Sequence, residues 1–155
     1  MTSKGKSNKR RIVLASGVFD LLHLGHVKFL EEAKKAGGPN AGLIVIIARD
    51  STVLKRKGKK PVIPENQRRA LVESLKVVGQ AVLGFEKFDT GKVIEKIKPN
   101  VIAFGYDQHG MEESVNSYVK RHGLDIKIVR IGKFEEDQME SSSKIKQKII
   151  EDFKR

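Results

Sequence analysis

The chain has 155 residues, 39% of them hydrophobic and 32% charged, a size and balance that suit one soluble domain with a sizeable core. It contains no cysteine, which excludes disulfides, thiolate nucleophiles and cysteine-ligated zinc, and no apolar run reaches transmembrane length. The formal net charge is +12, concentrated in two blocks: residues 1–11 hold five Lys/Arg and no acid, and residues 49–69 hold eight Lys/Arg against Asp50 and Glu65.

The first block is polar, and residues 1–10 read as a disordered basic tail ahead of a single domain over 11–155. No apolar segment follows it, so it does not read as a secretory signal, and a cytoplasmic location is expected. Ile12-Val13-Leu14-Ala15 is an apolar run that predicts a buried strand, broken by Ser16-Gly17. A helical pattern starts at His23 to His26, with Val27, Phe29, Leu30 and Ala33 apolar between charged residues. The loop at 36–40 ends it. Residues 43–48, LIVIIA, predict a second buried strand, and 49–52 close it. Residues 55–64, KRKGKKPVIP, read as an irregular basic loop. A helix is expected over 65–78 with Ala70, Leu71, Leu75 and Val78 inward. Then come a strand at 81–84, a helix at 90–97 capped by Asp89 or Thr90, and a strand at 101–106. A helix at 112–122, a strand at 126–131 and a helix at 141–153 opened by serines complete the chain.

Strands and helices alternate, which predicts a parallel sheet covered on both faces. The expected fold is α/β, a Rossmann-like three-layer sandwich with a five-stranded parallel sheet in the order 3-2-1-4-5. Ligands of such sheets bind at the carboxyl ends of the strands, where the order reverses. Two segments fall there, the turn carrying His23 and His26 and the turn Gly105-Tyr106-Asp107-Gln108.

His23 and His26 are three apart and share a helix face at a helix N-terminus, where free N–H groups and the helix dipole favour phosphate. Gly25 lets a ligand approach the backbone. A zinc site needs a third ligand, and only His109 and His122 remain. Phosphate is therefore the stronger reading. The longer pattern from Gly17 to His26, GVFDLLHLGH, resembles the G-x-F-D-x-x-H-x-G-H signature of the cytidylyltransferase-like nucleotidyltransferases, with all six fixed residues in register.

Four further stretches resemble the archaeal FAD synthase family: Ala48-Arg49-Asp50-Ser51-Thr52-Val53, residues 57–69, residues 81–84, and Gly105-Tyr106-Asp107-Gln108. The resemblance spans about residues 11–153. It implies transfer of the AMP moiety of ATP to FMN, giving FAD and pyrophosphate. By carry-over, the catalytic residues are His23, His26, Lys57 and Arg68. Lys57 matches a K-G step that touches phosphates, with Lys55 as the alternative, and Arg68 completes an E-x-x-R pattern with Glu65. A guanidinium at that place is expected to grip phosphate bidentately. The implied nucleotide-binding residues are Val18, Phe19, His23, Leu24, Gly25, His26, Asp107, Arg130, Ser142 and Ser143. A carboxylate at Asp107 suits ribose hydroxyls, as an acid does in dinucleotide folds.

Four features depart from the family pattern. Glu140 stands where the family carries Ile, among Glu135, Glu136 and Asp137; Arg130-Ile131-Gly132-Lys133 replaces the family's R-T-x-G step; Tyr106 stands at a position that the family also fills with Pro; and the family's C-terminal cysteines are absent. No protein metal ligands are expected. A divalent cation, Mg²⁺ by the chemistry of triphosphates, is expected to ride mainly on the substrate. The implied partners are ATP and FMN, with a homodimer as the family's usual assembly and neither membrane nor nucleic acid. The residues alone also accommodate a cytidylyltransferase acting on glycerol 3-phosphate or a similar small phosphate ester. From another class, the basic tail and loop accommodate a nucleic-acid-binding module.

Overall fold

A computed structural model describes residues 9–134 and 141–154. Its five strands are β1 (Ile12–Gly17), β2 (Gly42–Ile47), β3 (Gln80–Leu83), β4 (Val101–Gly105) and β5 (Lys127–Ile131). They form one parallel sheet in the order β3-β2-β1-β4-β5, as the alternation predicts. Six helices connect or follow them: α1 (Leu24–Lys35), α2 (Asp50–Lys57), α3 (Glu65–Glu73), α4 (Thr90–Ile97), α5 (His109–Arg121) and α6 (Ser142–Phe153).

The strands alternate their side chains between two apolar layers, as a period of two requires. Val13 and Ala15 of β1 join Leu43, Val45 and Ile47 of β2 in one layer, closed by Leu30 and Ala33 of α1 and Val72 of α3. Leu14 of β1 joins Ile102 and Phe104 of β4 in the other, closed by Val93 of α4 and Val115 and Val119 of α5. Burial on both faces is why the strands read as continuous apolar runs. No helix of the described residues is long and apolar enough to cross a membrane.

Three expectations are corrected. Residues 50–57 form a helix, α2, so Lys55 and Lys57 are helical and the irregular segment begins at Gly58. Gly58 ends α2 at φ 74°, a left-handed conformation that glycine adopts freely. The helix that begins at Glu65 ends at Glu73, and Arg68 and Val72 face inward while Leu71 is exposed. Arg10 is docked rather than free, its Nε donating to the Asn40 carbonyl at 3.0 Å. Residues 1–8 of the expected tail, and Glu135, Glu136, Asp137 and Glu140, lie outside the described residues.

Candidate active site

β1 and β4 pair from Val13↔Val101 to Ala15↔Ala103, and no pairing between them extends past that point. There α1 leaves one side of the sheet and α5 the other. The amide of Gln108 bridges the divergence: its Oε1 accepts from the Gly105 N–H at 2.7 Å and its Nε2 donates to the Ser16 carbonyl at 3.1 Å. A cleft of about 1140 Å³ opens above this switch point. Its walls include Val18, Phe19, His23, Gly25, His26, Lys57, Asp107, Arg130, Ser142 and Ser143. Ten of the twelve expected site residues therefore converge. Leu24 and Arg68 are not among the walls, and neither is Lys55.

The histidines sit at the first turn of α1. His23 is the N-cap residue, in extended conformation, and His26 is the third helical residue. Their rings stack at 3.7 Å between centroids and 25° between planes. The His23 backbone N–H donates to His26 Nδ1 at 3.2 Å. Burial, then the neighbouring His23, lowers the His26 pKa to about 4. The ring is therefore neutral near pH 7. With Nδ1 accepting, its proton lies on Nε2, which is thereby a hydrogen-bond donor.

The turn between β1 and α1 holds two non-glycine residues in the left-handed region, Phe19 at φ 53° and Leu21 at φ 51°. Each such residue costs on the order of 1 kcal/mol or more, so something must hold the turn. Two buried polar side chains do so. Asp20 is 6% exposed, and its carboxylate accepts from the Val62 N–H at 2.8 Å and the Ile63 N–H at 2.9 Å. Lys146 of α6 lies 3.6 Å from the same carboxylate, and the Ser142 hydroxyl donates to the Asp20 carbonyl. Burial alone would raise the Asp20 pKa, but the Ile63 and Val62 N–H groups and Lys146 together bring it below its ordinary value.

Arg68 is the second. Expected to grip phosphate, it is instead fully buried behind the turn, at 0% exposure. Its Nε donates to the Ile63 carbonyl at 2.8 Å, Nη1 to the Val18 carbonyl at 2.7 Å and Nη2 to Asp50 at 2.7 Å. These bonds spend the guanidinium on the protein. They also aim the backbone. The Val18–Phe19 peptide is trans, so the Phe19 N–H points opposite to the Val18 carbonyl and away from Arg68.

The helices α2 and α3 cap each other. Asp50 N–H donates to the Glu65 carboxylate at 2.7 Å, and Glu65 N–H donates to the Asp50 carboxylate at 3.3 Å. Arg49 lies 3.7 Å from Glu65, and its Nε donates to the Gly84 carbonyl at 2.6 Å. Asp20, Asp50 and Arg49 are site residues that sequence reasoning left without a role. Asp20 stood in the signature and Asp50 and Arg49 in the A-R-D stretch, so position was the available signal; their partners lie at least 15 residues away, and for Asp20 as far as Ser142 and Lys146.

The rest of the rim is more open. Asp107 is exposed immediately after β4. Arg130 is partly committed, its Nε bonded to Glu112 at 2.7 Å. Lys57, Lys59 and Lys60 are exposed along the front of the cleft. Among the described residues no group of three or more His, Cys, Asp or Glu is placed to hold a metal ion.

The cytidylyltransferase-like family model matches residues 14–148. A FAD synthase of Thermoplasma volcanium is 46% identical over 139 residues, 90% of this chain and 94% of that protein. A FAD synthase of Ferroglobus placidus is 49% identical over 138 residues, 89% of this chain and 87% of that one. A crystal structure from Thermoplasma volcanium described as a lipopolysaccharide core biosynthesis protein superposes with a TM-score of 0.73 at 45% identity, covering 82% of this chain and all of that one. Family model and relatives agree: the chain belongs to the FAD synthase family of cytidylyltransferase-like proteins.

Proposed function

We propose that this cleft adenylates FMN. A terminal phosphate oxygen of FMN attacks the α-phosphorus of ATP, the bond to the oxygen bridging the α- and β-phosphorus breaks, and pyrophosphate leaves carrying that oxygen. The nucleophile is already anionic, so no residue need act as general base. The work left to the protein is alignment and charge stabilisation.

The observation that carries this reading is the stacked His23–His26 pair at the start of α1, with His26 held neutral as an Nε2–H donor. A neutral donor can stay bonded to the α-phosphoryl oxygens as their charge shifts, without first having to lose a proton. Phe19 N–H, aimed by Arg68, adds a fixed backbone donor. Lys57 neutralises the departing pyrophosphate, and Asp107 is placed to receive ribose hydroxyls. Ser143 and the start of α6 lie on the cleft wall and suit the triphosphate.

Among the described residues the cleft offers a divalent cation no cage of its own: Asp20, the buried carboxylate of the wall, is committed to two N–H groups and Lys146. Mg²⁺ held by triphosphate oxygens and water would supply charge neutralisation on the leaving group.

The test is pyrophosphate release with ATP or CTP crossed against FMN or glycerol 3-phosphate. Turnover confined to ATP with FMN, with FAD as product, is expected. Turnover with CTP and glycerol 3-phosphate in its place would overturn the reading.

A further inference from the structure

Adenylation of FMN requires two flat ring systems, adenine and isoalloxazine, to be seated in one cleft. Among the described residues, three aromatic side chains that wall it are exposed: Phe85 at 41%, Phe88 at 60% and Tyr106 at 44%. They are not interchangeable. Tyr106 follows β4 directly, next to Asp107, whereas Phe85 and Phe88 lie between β3 and α4. In the sheet order β3 is an edge strand and β4 lies on the far side of β1, so the phosphate-binding turn separates the two groups.

The surroundings of the two sides also differ. Beside Tyr106 stands the exposed carboxylate of Asp107, which suits ribose hydroxyls. Beside the phenylalanines stands Arg49, whose Nε is bonded to the Gly84 carbonyl at the start of the segment. Cations stand on both sides, Arg49 here and Lys133 by Tyr106, so the two phenyl rings and not the charge distinguish this side. Phe85 already carries Lys96 Nζ at 5.6 Å from its ring centroid, and Tyr106 carries Lys133 at 5.7 Å. Phe88 is the most exposed of the three.

We propose that the segment between β3 and α4 is the flavin platform, with the isoalloxazine stacked on Phe88 and Phe85 beside it. This rests on the FMN adenylation reading. Two large exposed phenyl rings on a cleft wall are unfavourable in water, and a small polyol phosphate would leave them so. A tricyclic acceptor covers them. Stacking is tolerant of ring chemistry and strong enough to set acceptor affinity. Phe88 thus acts as a specificity-determining residue, on the opposite side of the reacting phosphorus from the adenine.

The test uses the full chain and two substitutions at Phe88, which is exposed enough to be replaced without disturbing the core. Phe88→Ala should raise the KM for FMN roughly 10- to 100-fold, the range of lost ring stacking, while the KM for ATP stays within about twofold. The chain has no tryptophan, so Phe88→Trp introduces a single indole whose emission FMN should quench on binding. A non-hydrolysable ATP analogue alone should leave that emission unchanged. An unchanged KM for FMN in both Phe88→Ala and Phe85→Ala, with wild-type FMN adenylation intact, would overturn the platform and leave the function standing. Quenching by the ATP analogue and not by FMN would place adenine there instead, and overturn it equally. A wild-type protein that does not adenylate FMN would remove both readings together.

Discussion

Arg68 and Lys57 belong to the same basic block of the sequence, yet the fold uses them oppositely. Arg68 lies in a bracket with Asp20, Asp50 and Glu65 behind the turn that follows β1, and its guanidinium donates three bonds to protein oxygens. Lys57 and its neighbours Lys59 and Lys60 stand exposed in front of that turn. One cation holds a strained backbone still; the other remains available to neutralise charge that arrives with substrate. A formal charge count cannot separate these uses, because a buried, paired cation contributes almost nothing to the field outside. The cleft therefore divides its work between rigid donors behind and screening charge in front.

The sharpest way to break this division is to empty the bracket. Arg68→Ala strands a partly buried Asp50 carboxylate and the Ile63 and Val18 carbonyls, and removing one partner of a buried pair costs about 3–5 kcal/mol. A urea midpoint within error of wild type would show that Arg68 holds nothing. Arg68→Lys keeps the charge but cannot make three directed bonds, so stability should recover in part while kcat stays depressed.

His26→Ala should come next, with kcat lower by roughly 100- to 1,000-fold, as for lost donors at a developing oxyanion, and ATP affinity changed far less. Near wild-type turnover would make His26 a packing residue. The same ring has a pH signature. Its folded pKa is about 4, against 6.5 when free. Between those values the unfolded chain binds a proton that the folded chain refuses. The contribution is therefore complete above about pH 6.5 and is lost as pH falls towards 4, with no further loss below. At about 1.4 kcal/mol per unit it is at most about 3.5 kcal/mol. Denaturation of wild type and His26→Asn across pH 4 to 7 should show the steeper slope only in wild type.

In front of the turn, Lys57→Ala should lower kcat on the order of tenfold, since an exposed ammonium acts through a screened field. Lys59→Ala should chiefly weaken ATP binding. Trypsin gives the structural counterpart: it should cut after Lys57 or Lys59 in the free protein and be blocked by a non-hydrolysable ATP analogue with Mg²⁺. Equal cleavage in both conditions would show that a bound triphosphate does not order this segment. The smallest effect is expected from deleting residues 2–8, which should leave turnover within about twofold; a large loss would bring the N-terminus into the site.

The same contrast explains what the sequence revealed. The sheet was legible because its three inner strands, β1, β2 and β4, are buried on both faces and open on or consist of apolar runs. The turn after β1 stood out because its residues are consecutive. Two helices were misread for reasons in their side chains. α2 buries only Val53, so it has no apolar period to detect, and its start is capped from Glu65, fifteen residues on. α3 turns Arg68 and Val72 inward, and an arginine at the buried position disguised the phase, which put Leu71 on the wrong face. The inward arginine also misled the site assignment, since nothing in an E-x-x-R pattern distinguishes a guanidinium aimed at phosphate from one aimed at a carbonyl. That distinction lies in pairings with Val18 and Asp50, 50 and 18 residues away.

The last helix has an unusual footing. α6 buries none of its side chains, and its ties to the body include Ser142 on the Asp20 carbonyl and Lys146 on the Asp20 carboxylate. Both end on the residue that props the phosphate turn. A segment moored this way opens locally at a free energy set by a few contacts, and whatever stiffens Asp20 deepens the mooring. Occupation of the turn by a triphosphate should then be felt along the far length of α6, as slower amide hydrogen exchange across residues 147–153, which lie beyond the cleft wall.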